Sequence, residues 1–305
     1  MDSGQGPTRF LIAGLVLALC GAADRPQLPI REARWLKSPD IIADLTTQPP
    51  ECLAWPKARA ERRSVAVGRA LFRSPLLLGG QAARAGLSCA SCHRNGRASP
   101  HFHFPGISDA PGTADVTASI MSEHRGDGIF NPKPIPDLAG DPARLKVKGT
   151  PKLRPFIRGL IAEEFDGPEP SAAALNAVTA YVAALTPGAC TKAEPITLEA
   201  KLIEVDAAVD LAKSAYQSGD SATGRALLAA ARFTLGAIDE RFQVAGLDAA
   251  RAELRAADAE LFSLQEAGAR GRWTAWARNW PRRKDGLRPA AARSLFNPAV
   301  LRRAI

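Results

Sequence analysis

From residue 196 to the C-terminus the chain contains neither cysteine nor histidine. Thiol, imidazole and disulfide chemistry are therefore excluded from that stretch. Methionine is nearly missing: Met1 and Met121 are the only two, so Met121 is the single thioether outside the extreme N-terminus. The apolar run Phe10 to Cys20 has eleven residues, too few to cross a bilayer as a permanent helix. A length of 305 residues is enough for two domains.

What is present is concentrated in one short segment. Cys89-Ala90-Ser91-Cys92-His93 is the one copy of Cys-x-x-Cys-His in the chain, the spacing that attaches haem c covalently. Two thiols separated by two residues can span the two vinyl groups of one porphyrin, and the adjacent imidazole then falls beneath the iron. Cys89 and Cys92 are the expected thioether positions of a single covalent haem c, and His93 the expected proximal iron ligand. A thioredoxin-like pair wants a βαβ setting and a zinc site wants two further ligands. Neither is visible, which leaves a reducible Cys89–Cys92 disulfide as the main competitor.

Haem c is normally attached outside the cytoplasm, so the reading calls for export. Arg9 precedes the apolar run, and Gly21, Ala22 and Ala23 follow it, the three-part layout of a secretory signal peptide. Residues 1–23 are read as a cleaved leader and the mature chain as periplasmic. Lipoprotein anchoring through Cys20 is the lesser alternative, because Leu19 stands where a small residue is usual. With Cys20 removed and two cysteines given to haem, Cys52 and Cys190 remain. In an oxidising compartment the two are expected to pair, tying together the ends of the haem-bearing region; the alternative is two unrelated buried cysteines.

Composition changes near Pro187 to Pro195. Residues 31–190 are rich in Pro and Gly and hold all four histidines, whereas residues 196–268 are Ala-rich with long apolar periodicity. The expected fold is mainly α: a cytochrome c-like haem domain with long Pro/Gly-rich loops, then a C-terminal antiparallel helical hairpin or bundle. In the first domain Ser64 is positioned to cap a helix through Val65, Val67, Gly68, Leu71 and Phe72, stopped by Ser74-Pro75. Ser171 is positioned to cap a second through Leu175, Val178, Tyr181, Val182 and Leu185, stopped by Thr186-Pro187-Gly188. A glycine facing an aromatic lets two helices cross closely, which makes Gly68 and Tyr181 the candidate contact. Gly106 to Gly149 reads as loop, with Asn131-Pro132-Lys133-Pro134-Ile135-Pro136 unable to form regular structure.

The segment GRALFRSPLLLGGQAARAGLSCASCH, Gly68 to His93, resembles the helix, loop and haem-attachment region of the bacterial di-haem cytochrome c peroxidase superfamily, which includes the relative that matures the methylamine dehydrogenase cofactor. A second match, Lys146 to Leu185, is similar to the family segment leading to the distal side of a haem. The resemblance implies two haem domains, electron transfer between them and peroxide reduction at one. This chain has one attachment motif, so what carries over is a single-haem member or offshoot.

Four residues are candidates for the distal iron position, ranked Met121, His124, His101 and His103. Met121 and His124 would share a helical face if Thr117 to Arg125 were helical. His101-Phe102-His103 would turn both imidazoles the same way on an extended strand. An open iron position is the remaining option. Methionine ligation fits an electron carrier working with a redox partner protein, two histidines would lower the potential, and an open position would admit hydrogen peroxide. In that last case His101, His103, Glu163 and Glu164 become acid/base candidates. A haem-bearing scaffold or ligand sensor without redox use is a third class.

The C-terminal part shows three helical patterns of about twenty residues: from Leu198 to Tyr216, from Ser221 to Phe242, and from Leu247 to Leu264. A docking or dimerising module is the functional reading, and an accessory unit packed on the cytochrome is the alternative. Residues 269–305 read as a basic Trp/Arg-rich tail. From Arg270 onward there are ten Lys/Arg against the single Asp285, while the rest of the chain balances, so the tail holds the whole net charge of +9. Trp273, Trp276 and Trp280 beside Arg272, Arg278, Arg282 and Arg283 suit an anionic membrane surface or an acidic protein. Nucleic acid is the third option, disfavoured as a partner by the expected export, and a solvated, partly disordered tail is the alternative to all three.

Overall fold

The computed structural model describes Met1 and residues 28–117, 120–140, 147–265 and 270–305. The expected leader beyond Met1, including Cys20, lies outside the described residues. The protein is mainly α. Its helices in chain order are α1 (Ile41–Thr46), α2 (Arg59–Phe72), α3 (Pro75–Leu78), α4 (Gly80–Ala85), α5 (Cys89–Cys92), α6 (Leu153–Gly159), α7 (Ala172–Ala184), α8 (Leu198–Gln217), α9 (Ser221–Arg241), α10 (Asp248–Ser263), α11 (Arg270–Leu287) and α12 (Pro298–Ala304). The β structure among the described residues is confined to two-residue ladders and two isolated bridges.

Helices α2 and α7 cross at Gly68, as their spacing predicts. A Cβ on Gly68 would stand 2.0 Å from the Ala177 carbonyl oxygen and 2.9 Å from Tyr181 Cβ, so a glycine is required for the backbones to approach this closely. Ser171 caps α7, its side chain accepting from the Ala174 N–H. Helix α2 begins at Arg59, five residues before Ser64, and Ala58 at its N-cap makes no side-chain hydrogen bond. Residues 59–63 are all exposed, so the first turn carries no buried apolar stripe and apolar periodicity begins only near Ser64.

Cys52 and Cys190 form a disulfide across 138 residues of sequence. Around it the chain pairs in an extended manner. Leu53 bridges Leu185, and the amides of Thr186 and Ala54 donate to the carbonyls of Cys52 and Ala184. The two ends of the 31–190 region are thereby held together.

Helices α8 and α9 form an antiparallel hairpin and α10 packs on α9. Their seam buries Leu202, Val205, Val209, Leu227, Leu228, Leu235 and Ile238, each worth roughly 1.5–3 kcal/mol on removal from water. The hairpin is not detached from the rest: α8 and α9 lie against α2 and α3, and one apolar core runs from Trp35 and Val65 through to Leu264 and Trp280. Residues 270–305 continue the bundle rather than trailing from it. Trp276 and Trp280 are buried and stacked, with ring centroids 4.9 Å apart, and Trp280 Nε1 donates to Asp206 at 2.5 Å. The tryptophan spacing that suggested a membrane-facing strip is the inward stripe of α11. A small second core joins α12 to α1 through Leu45, Leu295 and Leu301. Above it the buried Arg241 guanidinium donates to the carbonyls of Leu45 (2.7 Å) and Leu295 (3.2 Å).

Candidate functional site

The Cys89–His93 segment begins as one helical turn between two sharp bends. Gly86, at φ +78°, closes α4 in a left-handed conformation that suits glycine, and buried Leu87 leads into Ser88. The Ser88 N–H donates to Ser91 Oγ at 3.0 Å. Cys89 and Cys92 then stand three apart on α5, where side chains are neighbours on one face. After His93 the chain reverses through Asn95 (φ +50°) and Gly96 (φ +75°), the two left-handed residues a tight type I′ hairpin requires, and His93 pairs with Ala98.

Cys89 and Cys92 are free thiols. Both retain partial accessibility, yet burial pushes each thiol up to about 12, so neither ionises at neutral pH. Burial also pulls the His93 imidazole down to about 4, outweighing the opposite influence of the Pro136 carbonyl and the Asp137 carboxylate. The imidazole is therefore neutral and able to offer a lone pair. Its Nδ1 is buried and makes no hydrogen bond among the described residues.

The neighbours fix this corner. Phe72 lies between the helix crossing and the motif, its ring centroid 5.1 Å from that of Tyr181 and 6.5 Å from that of His93. Arg97 holds Asp137 at 2.7 Å and reaches Cys52 Sγ at 3.3 Å. The Leu138 N–H donates to the Gly96 carbonyl, strapping the Pro136–Leu138 segment onto the hairpin. Lys148 donates to the carbonyls of Leu138 and Leu185.

The four distal candidates occupy different environments. Met121 is 2% exposed and part of the main core. His124 has a side chain 72% exposed and is held by Asp166 at 2.8 Å. The described residues of the Thr117 to Arg125 stretch form turns and not a helix, so Met121 and His124 do not share a helical face. Four successive residues instead bind the segment at 163–166. Ser122 Oγ donates to the Glu163 carbonyl at 2.6 Å, the Glu123 N–H to Asp166 at 2.6 Å, and Arg125 meets Glu163 and Glu164 at 3.1 Å. The 163–166 segment lacks a methionine in its own sequence, and the loop docked on it brings Met121. His101 Nδ1 is 2.6 Å from Asp44, and both His101 and His103 are half-buried on either side of the fully buried Phe102, the alternation expected of extended chain. Glu164 is buried with Oε2 unpaired among the described residues, and burial raises its pKa against the pull of Arg125.

Asn95-Gly96 is the dipeptide that a two-residue hairpin prefers, and it is a local signal for the turn after His93. The Arg97–Asp137 and Glu51–Arg69–Tyr181 contacts carry no sequence signal, since each joins residues at least 18 positions apart. Comparison with known proteins finds no family model that matches the chain, and no curated protein or solved structure significantly similar to it.

Proposed function

We propose that the chain is an exported c-type cytochrome that carries one covalent haem c and transfers electrons. The observation that carries this reading is the α5 corner: two un-ionised free thiols one helical turn apart, followed directly by a neutral buried imidazole, at the foot of the Gly68 helix crossing. The residues fit the group. Cys89 and Cys92 would hold it by adding their S–H bonds across the two vinyl groups, and His93 would bind the iron through one ring nitrogen. When bound, haem c supplies reversible one-electron chemistry at iron.

The chain's own residues do the remaining work. Phe72 and the strapped Pro136–Leu138 segment orient the imidazole. Met121 is the preferred sixth ligand, because it is buried in the main core while His124 is exposed and His101 is committed to Asp44. The Cys52–Cys190 disulfide supports export, since such bonds persist in oxidising compartments. The segments Gly68 to His93 and Lys146 to Leu185 support placement beside the di-haem peroxidase superfamily as a single-haem offshoot. For a redox partner we favour an acidic protein over a membrane surface: Trp276 and Trp280 are turned inward, while Arg278, Arg282, Arg293, Arg302 and Arg303 are exposed. No described helix is long and apolar enough to cross a membrane.

A peroxidase-like enzyme is the second reading, and Glu164 is the observation that favours it. A buried carboxyl of raised pKa with one free oxygen, paired to Arg125, is suited to moving a proton near a bound peroxide. Ferric and ferrous spectra of the purified protein, with and without cyanide and carbon monoxide, separate the two. Low-spin iron with sulfur-to-iron charge transfer and slow ligand binding is the carrier result. High-spin ferric iron that binds both ligands at once would reject the carrier and favour the enzyme.

A further inference from the structure

The last turn of α2 delivers two consecutive side chains to the attachment segment. Phe72 lies against His93, and Arg73, next in sequence, caps the helix end and reaches three partners. Its Nη2 donates to Asn95 Oδ1 at 2.7 Å, its Nη1 to Glu204 Oε1 at 2.7 Å, and Glu51 lies 3.5 Å away. Asn95 is two residues beyond His93 in the hairpin turn, and it donates onward to the Pro49 carbonyl at 2.9 Å. Glu204 belongs to α8, 131 residues away in sequence. It also takes Lys201 at 3.0 Å. The Arg73–Glu204 pair lines two separate hollows of about 140 Å³ each, so it spans an incompletely packed junction between α2 and α8.

We propose that Arg73 is the joint through which the C-terminal helices act on the haem site: its charge, set by how far Glu204 neutralises it, tunes the reduction potential of the group held at His93. The inference rests on the cytochrome reading, and it gives the helical bundle a role in the chemistry. A cation beside an electron-accepting centre favours the reduced form, and an anion opposes it. Burial alone would push the Glu204 carboxyl up, but Lys201 and Arg73 outweigh it and hold it down at about 2. The carboxylate is therefore a fixed negative charge at physiological pH. Arg73 is a positioning residue: it touches the segment that carries the iron ligand and not the iron.

The test is a potentiometric titration of the full-length haem-loaded protein, its E204Q, R73Q and R73K variants, and the R73Q/E204Q double variant. E204Q is expected to raise the midpoint potential, R73Q to lower it, the double variant to return close to the parent, and R73K to stay close to the parent. R288Q, which frees Glu199 on the same helix α8 from its pair with Arg288, is expected to leave the potential unchanged. Opposite signs are the diagnostic readout, because loosening of the corner would move both single variants the same way. Shifts of one sign, or none, overturn the proposal. Should R73Q fail to fold, E204Q and E204K replace it as a charge series, expected to rise stepwise and contradicted by a flat response. Haem staining after denaturing electrophoresis is run first on every sample. If no haem stays on the parent chain, the cytochrome reading falls and the inference with it; if haem is present and the potentials do not move, only the inference falls.

Discussion

The carbonyl oxygen of Ala177 stands 2.0 Å from where a Cβ on Gly68 would be, so the crossing of α2 and α7 closes around a missing methyl group. G68A forces the helices apart beneath Phe72 and His93. Overpacking of this kind costs about 3 kcal/mol. Chemical denaturation should report that loss together with a lower yield of haem-loaded protein. An unchanged midpoint would mean the crossing is looser than described.

The Cys52–Cys190 bond closes a loop with a sequence separation of 138. Chain-entropy arguments assign a cross-link of that span about 5 kcal/mol. Replacing both cysteines by alanine should lower stability by an amount of that order, and a reducing agent should do the same to the parent and nothing to the variant. Equal denaturation curves for parent and variant would refute the contribution.

Glu51 gathers Arg69 (2.8 and 2.9 Å) and the Tyr181 hydroxyl (3.0 Å) around one carboxylate. Burial raises its pKa, but the hydrogen bond from Arg69 and the charges of Arg73 and Arg69 outweigh that, and the net value falls below the ordinary 4.5. A depressed carboxylate contributes stability that is complete above its unfolded pKa and is lost as pH falls through its folded pKa. E51Q should therefore cost roughly 1–2 kcal/mol near neutrality, since solvent screens the partly exposed Arg69 that it leaves without its partner, and the gap to the parent should narrow in acid. A gap independent of pH would contradict the assignment.

Met121 is the only buried candidate among the four distal residues. M121A should abolish the near-infrared sulfur-to-iron band and admit cyanide, whereas H101A, H103A and H124A should each retain the band. Loss of low-spin character in H101A or H103A, with M121A unaffected, would move the distal position to the Phe102 strand.

The sequence and the structure agree where local chemistry decides. The Ser171 cap needs four adjacent residues, and the glycine facing Tyr181 needs only helical periodicity on both sides. Pairing of Cys52 with Cys190 followed from cysteine counting. Disagreement arises where distant residues decide. The Thr117–Arg125 stretch has a plausible helical pattern, but its polar groups find better partners on the 163–166 segment, and the resulting turns separate Met121 from His124. Residues 269–305 look like a basic tail in a charge count. Yet Arg283 pairs with Glu253 and Glu260, Lys284 with Asp206, and Arg288 with Glu199, and none of these pairings is visible in linear order.

The most direct test of the cytochrome reading is the intact mass of the protein, expressed with its leader in a host that matures c-type cytochromes and analysed after denaturation. The account predicts the mass of the mature chain plus one haem, with a pyridine haemochrome spectrum of the two-thioether type, and loss of that increment in the double variant C89A/C92A. A mature chain without added mass, or haem that dissociates on denaturation, would contradict it.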